Sequence, residues 1–156
     1  MRIERYDADR GALLPLFALA DDSATQVARY VSLGEILVAR DGELIVGHAQ
    51  IVESGRPGEF ELKSLAVLGP RQGAGLGREL VEAVVARCRE RGGQRLIVST
   101  AAAAVGTLRF YQRQGFRMYL IVQDAFGPST GYPDGRLIDG VPLRDQVFLE
   151  LDLESG

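Results

Sequence analysis

Gln72-Gly73-Ala74-Gly75-Leu76-Gly77 is the stretch whose residue types and spacing point most directly to chemistry. It follows the apolar run Leu65-Ala66-Val67-Leu68 and opens a segment of helical periodicity that reaches Arg91. A glycine-rich turn between strand and helix suits a phosphate. Glycine lets the backbone approach a ligand closely, and the first N–H groups of the helix are unpaired donors at the positive end of its dipole. Two common owners of such turns are excluded by spacing. A Walker loop needs lysine and then serine or threonine after its last glycine, and Arg78-Glu79 follow Gly77 here. A Rossmann fingerprint puts two residues between its second and third glycines, whereas Leu76 alone separates Gly75 from Gly77. The pattern that fits is Gln/Arg-x-x-Gly-x-Gly/Ala, filled by Gln72, Gly75 and Gly77. Arg71 and Arg78 flank it and offer charge-assisted contacts to a phosphate.

Other reactive side chains carry less on their own. Glu61 lies on an alternating segment that turns Glu59, Glu61 and Lys63 to one face, which reads as a solvent-facing row or as a carboxylate turned to a site. Tyr111 stands between Phe110 and Phe116 near a helix end, with an apolar body for a core and a polar tip for a site. His48, the one histidine, follows Gly47 on a strand and reads as structural despite titrating in the useful range. Cys88 falls on an apolar helical stripe and reads as core. No His, Cys and carboxylate cluster has metal-ligand spacing, so no metal is expected.

The elements that position these residues follow from periodicity. Arg2 to Tyr6 reads as a strand, and Asp7 or Asp9 caps a helical segment in which Pro15 requires either a late start or a kink. Asp22 or Ser23 caps a second helix over Ala24 to Val31. Glu35 to Arg40, Asp41-Gly42 and Leu44 to Glu53 form a hairpin. Phe60 to Leu68 is a strand and Gly75 to Arg91 a helix, with Leu76, Leu80, Val81, Val84, Val85 and Cys88 on one stripe. Arg95 to Ser99, reached by this crossover, runs parallel to the Phe60 strand. Ala101 to Arg113 reads as helix, Phe116 to Gln123 and Gln146 to Leu153 as strands. The Gly- and Pro-rich Asp124 to Asp145 stretch between them is long enough to be an active-site wall or lid. The expected fold class is α/β: a mixed sheet of about seven strands with four helices and a central βαβ unit, one domain over residues 1–156.

Composition narrows the partners. A hydrophobic fraction of 46% and a charged fraction of 25% belong to ordinary soluble proteins, and a net charge of −3 offers no field for nucleic acid or an anionic membrane. Neither partner is expected. One cysteine, no charged-then-apolar leader and no apolar run of about 20 residues make the cytoplasm the expected compartment. Among 18 basic residues only Lys63 is lysine, a bias that carries no functional reading at this level.

Three stretches in order resemble motifs of the GNAT superfamily of acyl-CoA-dependent N-acyltransferases. Glu61-Leu62-Lys63-Ser64-Leu65-Ala66-Val67 looks like the family's central strand, Gln72 to Gly77 like its pyrophosphate loop, and Tyr111-Gln112-Arg113-Gln114-Gly115-Phe116 like the Tyr-x-x-x-Gly-Phe end of its late helix. The resemblance covers essentially the whole chain. It implies an N-acetyltransferase that moves an acetyl group from acetyl-CoA to a primary amine of a small molecule or an amino terminus, directly in a ternary complex. It also implies pyrophosphate contacts from Gln72, Gly73, Ala74, Gly75, Leu76, Gly77 and Arg78. A backbone N–H among Leu65, Ala66 and Val67 would meet the thioester carbonyl, Tyr111 would serve the departing thiolate, and either Glu61 or ordered water would act as base. A homodimer through the late strands is a family-level expectation. Acceptor selection is expected from the Leu13 to Val31 helices and from the long loop with Phe126, Tyr132 and Asp134; Asp21, Asp22 and Asp134 read first as ordinary cap and turn residues and alternatively as attracting a cationic amine. Ala104 stands where the family often has asparagine, which leaves one cofactor contact open and admits a non-catalytic acyl-CoA sensor as the alternative.

Overall fold

The computed structural model describes residues 1–154. The elements run β1 (Arg2–Arg5), α1 (Leu14–Ala20), α2 (Ala24–Tyr30), β2 (Glu35–Asp41), β3 (Leu44–Glu53), β4 (Glu59–Val67), α3 (Leu76–Glu90), β5 (Arg95–Ala101), α4 (Val105–Arg113), β6 (Arg117–Val122), β7 (Leu137–Ile138), β8 (Val141–Pro142) and β9 (Gln146–Asp152). Pro15 lies in the first turn of α1, behind a 3-10 turn at Arg10–Leu13 whose start Asp9 caps, so the late helix start is the observed solution. Ser23, not Asp22, caps α2, accepting from Gln26 N–H at 3.1 Å.

Seven strands form one sheet in the order β1-β2-β3-β4-β5-β9-β6, and β7-β8 make a separate two-residue ladder inside the long loop. Alternate residues of β2 feed two cores: Leu37 and Ala39 join α3 on one face, while Ile36 and Val38 join α1 and α2 on the other. The helices therefore cover both faces of the sheet. The edge strand β6 leaves Met118, Leu120 and Ile121 exposed.

Two features of β4 position everything that follows. It pairs parallel with β5 only through Glu59↔Arg95, Phe60↔Leu96 and Glu61↔Ile97, and beyond Glu61 the strands part. The β5-facing edge of its remaining residues has no strand partner. On its other edge, Gln50 pairs with Ser64 and Ile51 with Leu62, so Lys63 is the extra residue of a bulge. The bulge reverses the alternation. Phe60, Leu62, Leu65 and Val67 all pack toward α3, whereas Ala66 joins the α1–α2 core and Ser64 bonds His48 on that side.

The expected helix over Ala101 to Arg113 is shorter. Ala101 is the last residue of β5, paired with Gln146, and Ala102 N–H donates to Asp145 O at 2.8 Å. Ala103 is buried. Strand pairing and burial override the helical preference of the alanine run, and α4 begins at Val105. Among the described residues no helix is long and apolar enough to cross a membrane.

Candidate active site

The glycine loop enters α3 as its spacing predicts. Gly73 and Gly75 hold φ of 85° and 84°, and open space lies where a Cβ would stand on either. Gly75 is the N-cap and supplies no side-chain cap, and the N–H groups from Gly73 to Gly77 have no acceptor among the described residues. Those groups fit a phosphate. Gln72 differs: its N–H donates to Gly69 O at 3.1 Å and its side chain to Val67 O at 2.9 Å, so it shapes the turn.

In front of the loop runs a groove of about 1100 Å³ between α3 and α4, lined by Val67, Gln72, Gly73, Gly75, Leu76, Gly77 and Arg78. Ala74 is exposed beside it. The flanking arginines are already engaged, Arg71 with Asp41 at 2.6 Å and Arg78 with Glu82 at 3.0 Å. The opposite wall carries Gly106, Arg109, Phe110 and Arg113, and neither of these arginines has an ion-pair partner among the described residues. Sequence reasoning passed over them. The available signal was their spacing: positions i, i+3, i+4 and i+7 form one face of α4.

A second cavity, about 430 Å³, opens where β4 and β5 part. It brings together Glu61, Lys63, Leu65 and Tyr111 with Asp21, Asp22, Phe126 and Tyr132. Groove and cavity share their walls: β4 contributes Val67 to the first and Leu65 to the second, and α4 contributes Gly106 and Thr107. Ala66 is buried, its side chain in the α1–α2 core.

Tyr111 is 5% exposed, with its ring edge-on to Phe110 and Phe116 at 5.2 and 5.5 Å. It is thus a core residue whose hydroxyl end reaches the cavity wall. Burial raises its pKa, so the phenol keeps its proton at neutral pH. Burial also lifts the Glu61 carboxyl above its ordinary range; Lys63, with Nζ 3.9 Å away, opposes this and Glu59 adds to it. Glu59 itself does not line the cavity. It is ion-paired with Arg95, and Ser54 and Arg95 hold its pKa down against burial.

The long loop is the cavity's outer wall. Tyr132 and Tyr30 both donate to the Asp21 carboxylate at 2.8 Å, and burial followed by that bond raises the pKa of each phenol. Arg136 pairs with Asp22 at 3.1 Å, and Gln26 Nε2 donates to Thr130 O at 2.8 Å. Phe126 and Tyr132 meet edge to face at 4.9 Å. Asp134 is exposed and outside the cavity. Tyr30 and Arg136, which no sequence pattern marks, are part of the site.

His48 and Cys88 are not. His48 is fully buried against Phe17, with Nε2 2.8 Å from Ser64 Oγ, and burial lowers its pKa to about 4. The Cys88 thiol is buried in the α3 core and pushed up to about 12. Among the described residues, no group of three or more His, Cys, Asp or Glu side chains is arranged to hold a metal ion.

Comparison with known proteins agrees with this arrangement. A family model described as "Acetyltransferase (GNAT) family" matches residues 8–116. The uncharacterized N-acetyltransferase YvbK of Bacillus subtilis (strain 168) is 30% identical over 98% of this chain and 97% of its own length. The structure of an IAA acetyltransferase from Bacillus cereus superposes with a TM-score of 0.86 at 33% identity, covering 97% of this chain and 98% of that one. A GNAT family acetyltransferase from Elizabethkingia anophelis with acetyl-CoA bound gives 0.88 at 25% identity, covering 97% of each chain. Motif order, sheet topology and these matches agree, and the chain belongs to the GNAT acetyltransferase family.

Proposed function

We propose that this acetyltransferase moves an acetyl group from acetyl-CoA to a primary amine of a small molecule or an amino terminus, by direct transfer while both are bound. The observation that carries the reading is the parting of β4 and β5 beyond Glu61, which lets the phosphate groove and the Glu61–Tyr111 cavity share one strand. A donor with its pyrophosphate at Gly73 to Gly77 would lay its thioester along the unpartnered edge of Leu65 to Val67. There a backbone N–H stabilises the negative charge that develops on the carbonyl oxygen. Glu61 takes a proton from the incoming ammonium, directly or through water, and Tyr111 gives one to the departing thiolate. Asp21 and Asp22 add negative charge near the amine's entrance. One domain over residues 1–156 fits this reading, and the apolar edge strand β6 supports a homodimer whose state sedimentation would measure.

The test is thiol release from acetyl-CoA across a panel of small amines and short peptides. We expect turnover with at least one of them. We also expect Glu61→Gln to lose the acidic limb of the kcat/KM profile, a limb that lies above the usual carboxylate range because burial raises the Glu61 pKa. Acetyl-CoA binding without thiol release for any amine would reject catalysis.

A further inference from the structure

Lys63 is the single lysine among 18 basic residues, and it stands in the acceptor cavity. The distinction is chemical. A guanidinium stays protonated at any pH an enzyme works at, whereas a lysine amine becomes a nucleophile once it loses its proton. Alternation from Glu61 turns Lys63 to the α1–α2 side, where Nζ sits 4.9 Å from the Tyr30 ring centroid and 3.9 Å from Glu61 Oε2, and the bulge puts Ser64 on that same side beside it. It is held loosely. The ion pair is at the outer limit of contact, the side chain is 34% exposed, and a four-carbon lysine stem is intrinsically flexible. Leu65, two residues on, is about 6.6 Å along a strand, within the span of an extended lysine side chain. From Lys63 on, β4 has no β5 partner to fill that space.

We propose that Lys63 is itself an acyl acceptor: the chain transfers an acetyl group from bound acetyl-CoA to its own Lys63 Nζ. The proposal rests on the acetyl-CoA reading above. Glu61 takes one proton from the Lys63 ammonium. The freed lone pair forms the C–N bond to the thioester carbonyl carbon, the C–S bond breaks with its electrons on sulfur, and Tyr111 protonates the thiolate. The proton that nitrogen releases on becoming an amide restores the Tyr111 phenol, and Glu61 returns its own to water. The products are Nε-acetyl-lysine and CoA thiol. Acetylation removes the Lys63 charge from Glu61 and Tyr30 and leaves an acetamide in the space an acceptor amine needs, so a chain charged with donor but starved of acceptor closes its own site.

Because Lys63 is the one lysine among the 18 basic residues of this sequence, peptide mapping identifies its acetylation cleanly. The full chain is incubated with acetyl-CoA at neutral pH and followed by intact mass and peptide mapping, with calorimetry of acetyl-CoA binding alongside. The expected result is one acetyl group on Lys63, absent in Lys63→Arg, slowed about tenfold or more in Tyr111→Phe, and formed at a rate per molecule that dilution does not change. Binding heat without acetylated Lys63 overturns this proposal and leaves the donor reading standing. Equal labelling of the urea-unfolded chain reduces it to adventitious chemistry, and a rate that falls on dilution makes the transfer one between copies; either result overturns it. No binding heat overturns the donor reading and this one together.

Discussion

The Tyr132 hydroxyl donates to Asp21 Oδ1 at 2.8 Å and joins positions 111 residues apart in sequence. This bond ties the long loop to the junction of α1 and α2, where Tyr30 donates to the other oxygen of the same carboxylate. Tyr132→Phe removes one charge-assisted bond and keeps the ring against Phe126. The KM for the acceptor amine is expected to rise about fivefold, roughly 1 kcal/mol, with the Kd for acetyl-CoA unchanged. Equal changes in both constants would mean that the loop does not act on the acceptor side alone.

Tyr111→Phe separates the two roles of that side chain. The ring remains packed between Phe110 and Phe116, so thermal stability should hold, while loss of the phenolic proton should lower kcat by one to two orders of magnitude, about 1.4 to 2.8 kcal/mol. Stopped-flow detection of thiol release measures it. An unchanged kcat would reject the general-acid role.

Arg109 and Arg113 face the phosphate groove without ion-pair partners among the described residues. Replacing either with alanine is expected to raise the Kd for acetyl-CoA about five- to tenfold, more at low salt than at high, with no loss of melting temperature. Calorimetry at two ionic strengths checks both parts. The same substitution at Arg71 should instead cost stability, since it strips Asp41 of its partner.

His48 makes stability depend on pH. Its folded pKa, about 4, lies below the unfolded value near 6.5, so the unfolded chain binds the extra proton first as pH falls. The folded state is therefore penalised progressively between those two values, and the loss amounts to roughly 3 kcal/mol once both are passed. Urea titrations at pH 7.5 and 4.5 should show a smaller difference for His48→Gln than for the parent chain. Identical differences would assign the acid sensitivity to other groups.

Much of this arrangement is legible in sequence because local chemistry and global fold agree. The Asp41-Gly42 hairpin, the α3 stripe and the glycine turn each state one conformation, and the structure shifts the ends of α3 by a single residue. Legibility fails where a partner distant in sequence decides. Ala101 to Ala104 have strong helical preference, yet β9 and Asp145 draw the first of them into a sheet. Alternation places Glu59 beside Glu61, yet Arg95 captures it. Tyr30 and Arg136 acquire meaning only when the loop folds back on Asp21 and Asp22. The acidic pair was visible, but its bonding partners were not.

The extra residue in β4 also makes that strand two reading frames joined end to end. Upstream of Lys63, odd-numbered Glu61 faces the cavity that Tyr30 and Asp21 also line; downstream, odd-numbered Leu65 and Val67 face α3. Deleting Lys63 would therefore do more than remove a charge. It would also close the bulge, making Leu62 and Ser64 neighbours opposite Ile51 and Gln50, so that plain alternation would then hold Leu65 and Val67 on α3 and Ser64 and Ala66 on the His48 side. A single inserted position lets one continuous strand offer a polar surface at one end and a packed, unpartnered edge at the other.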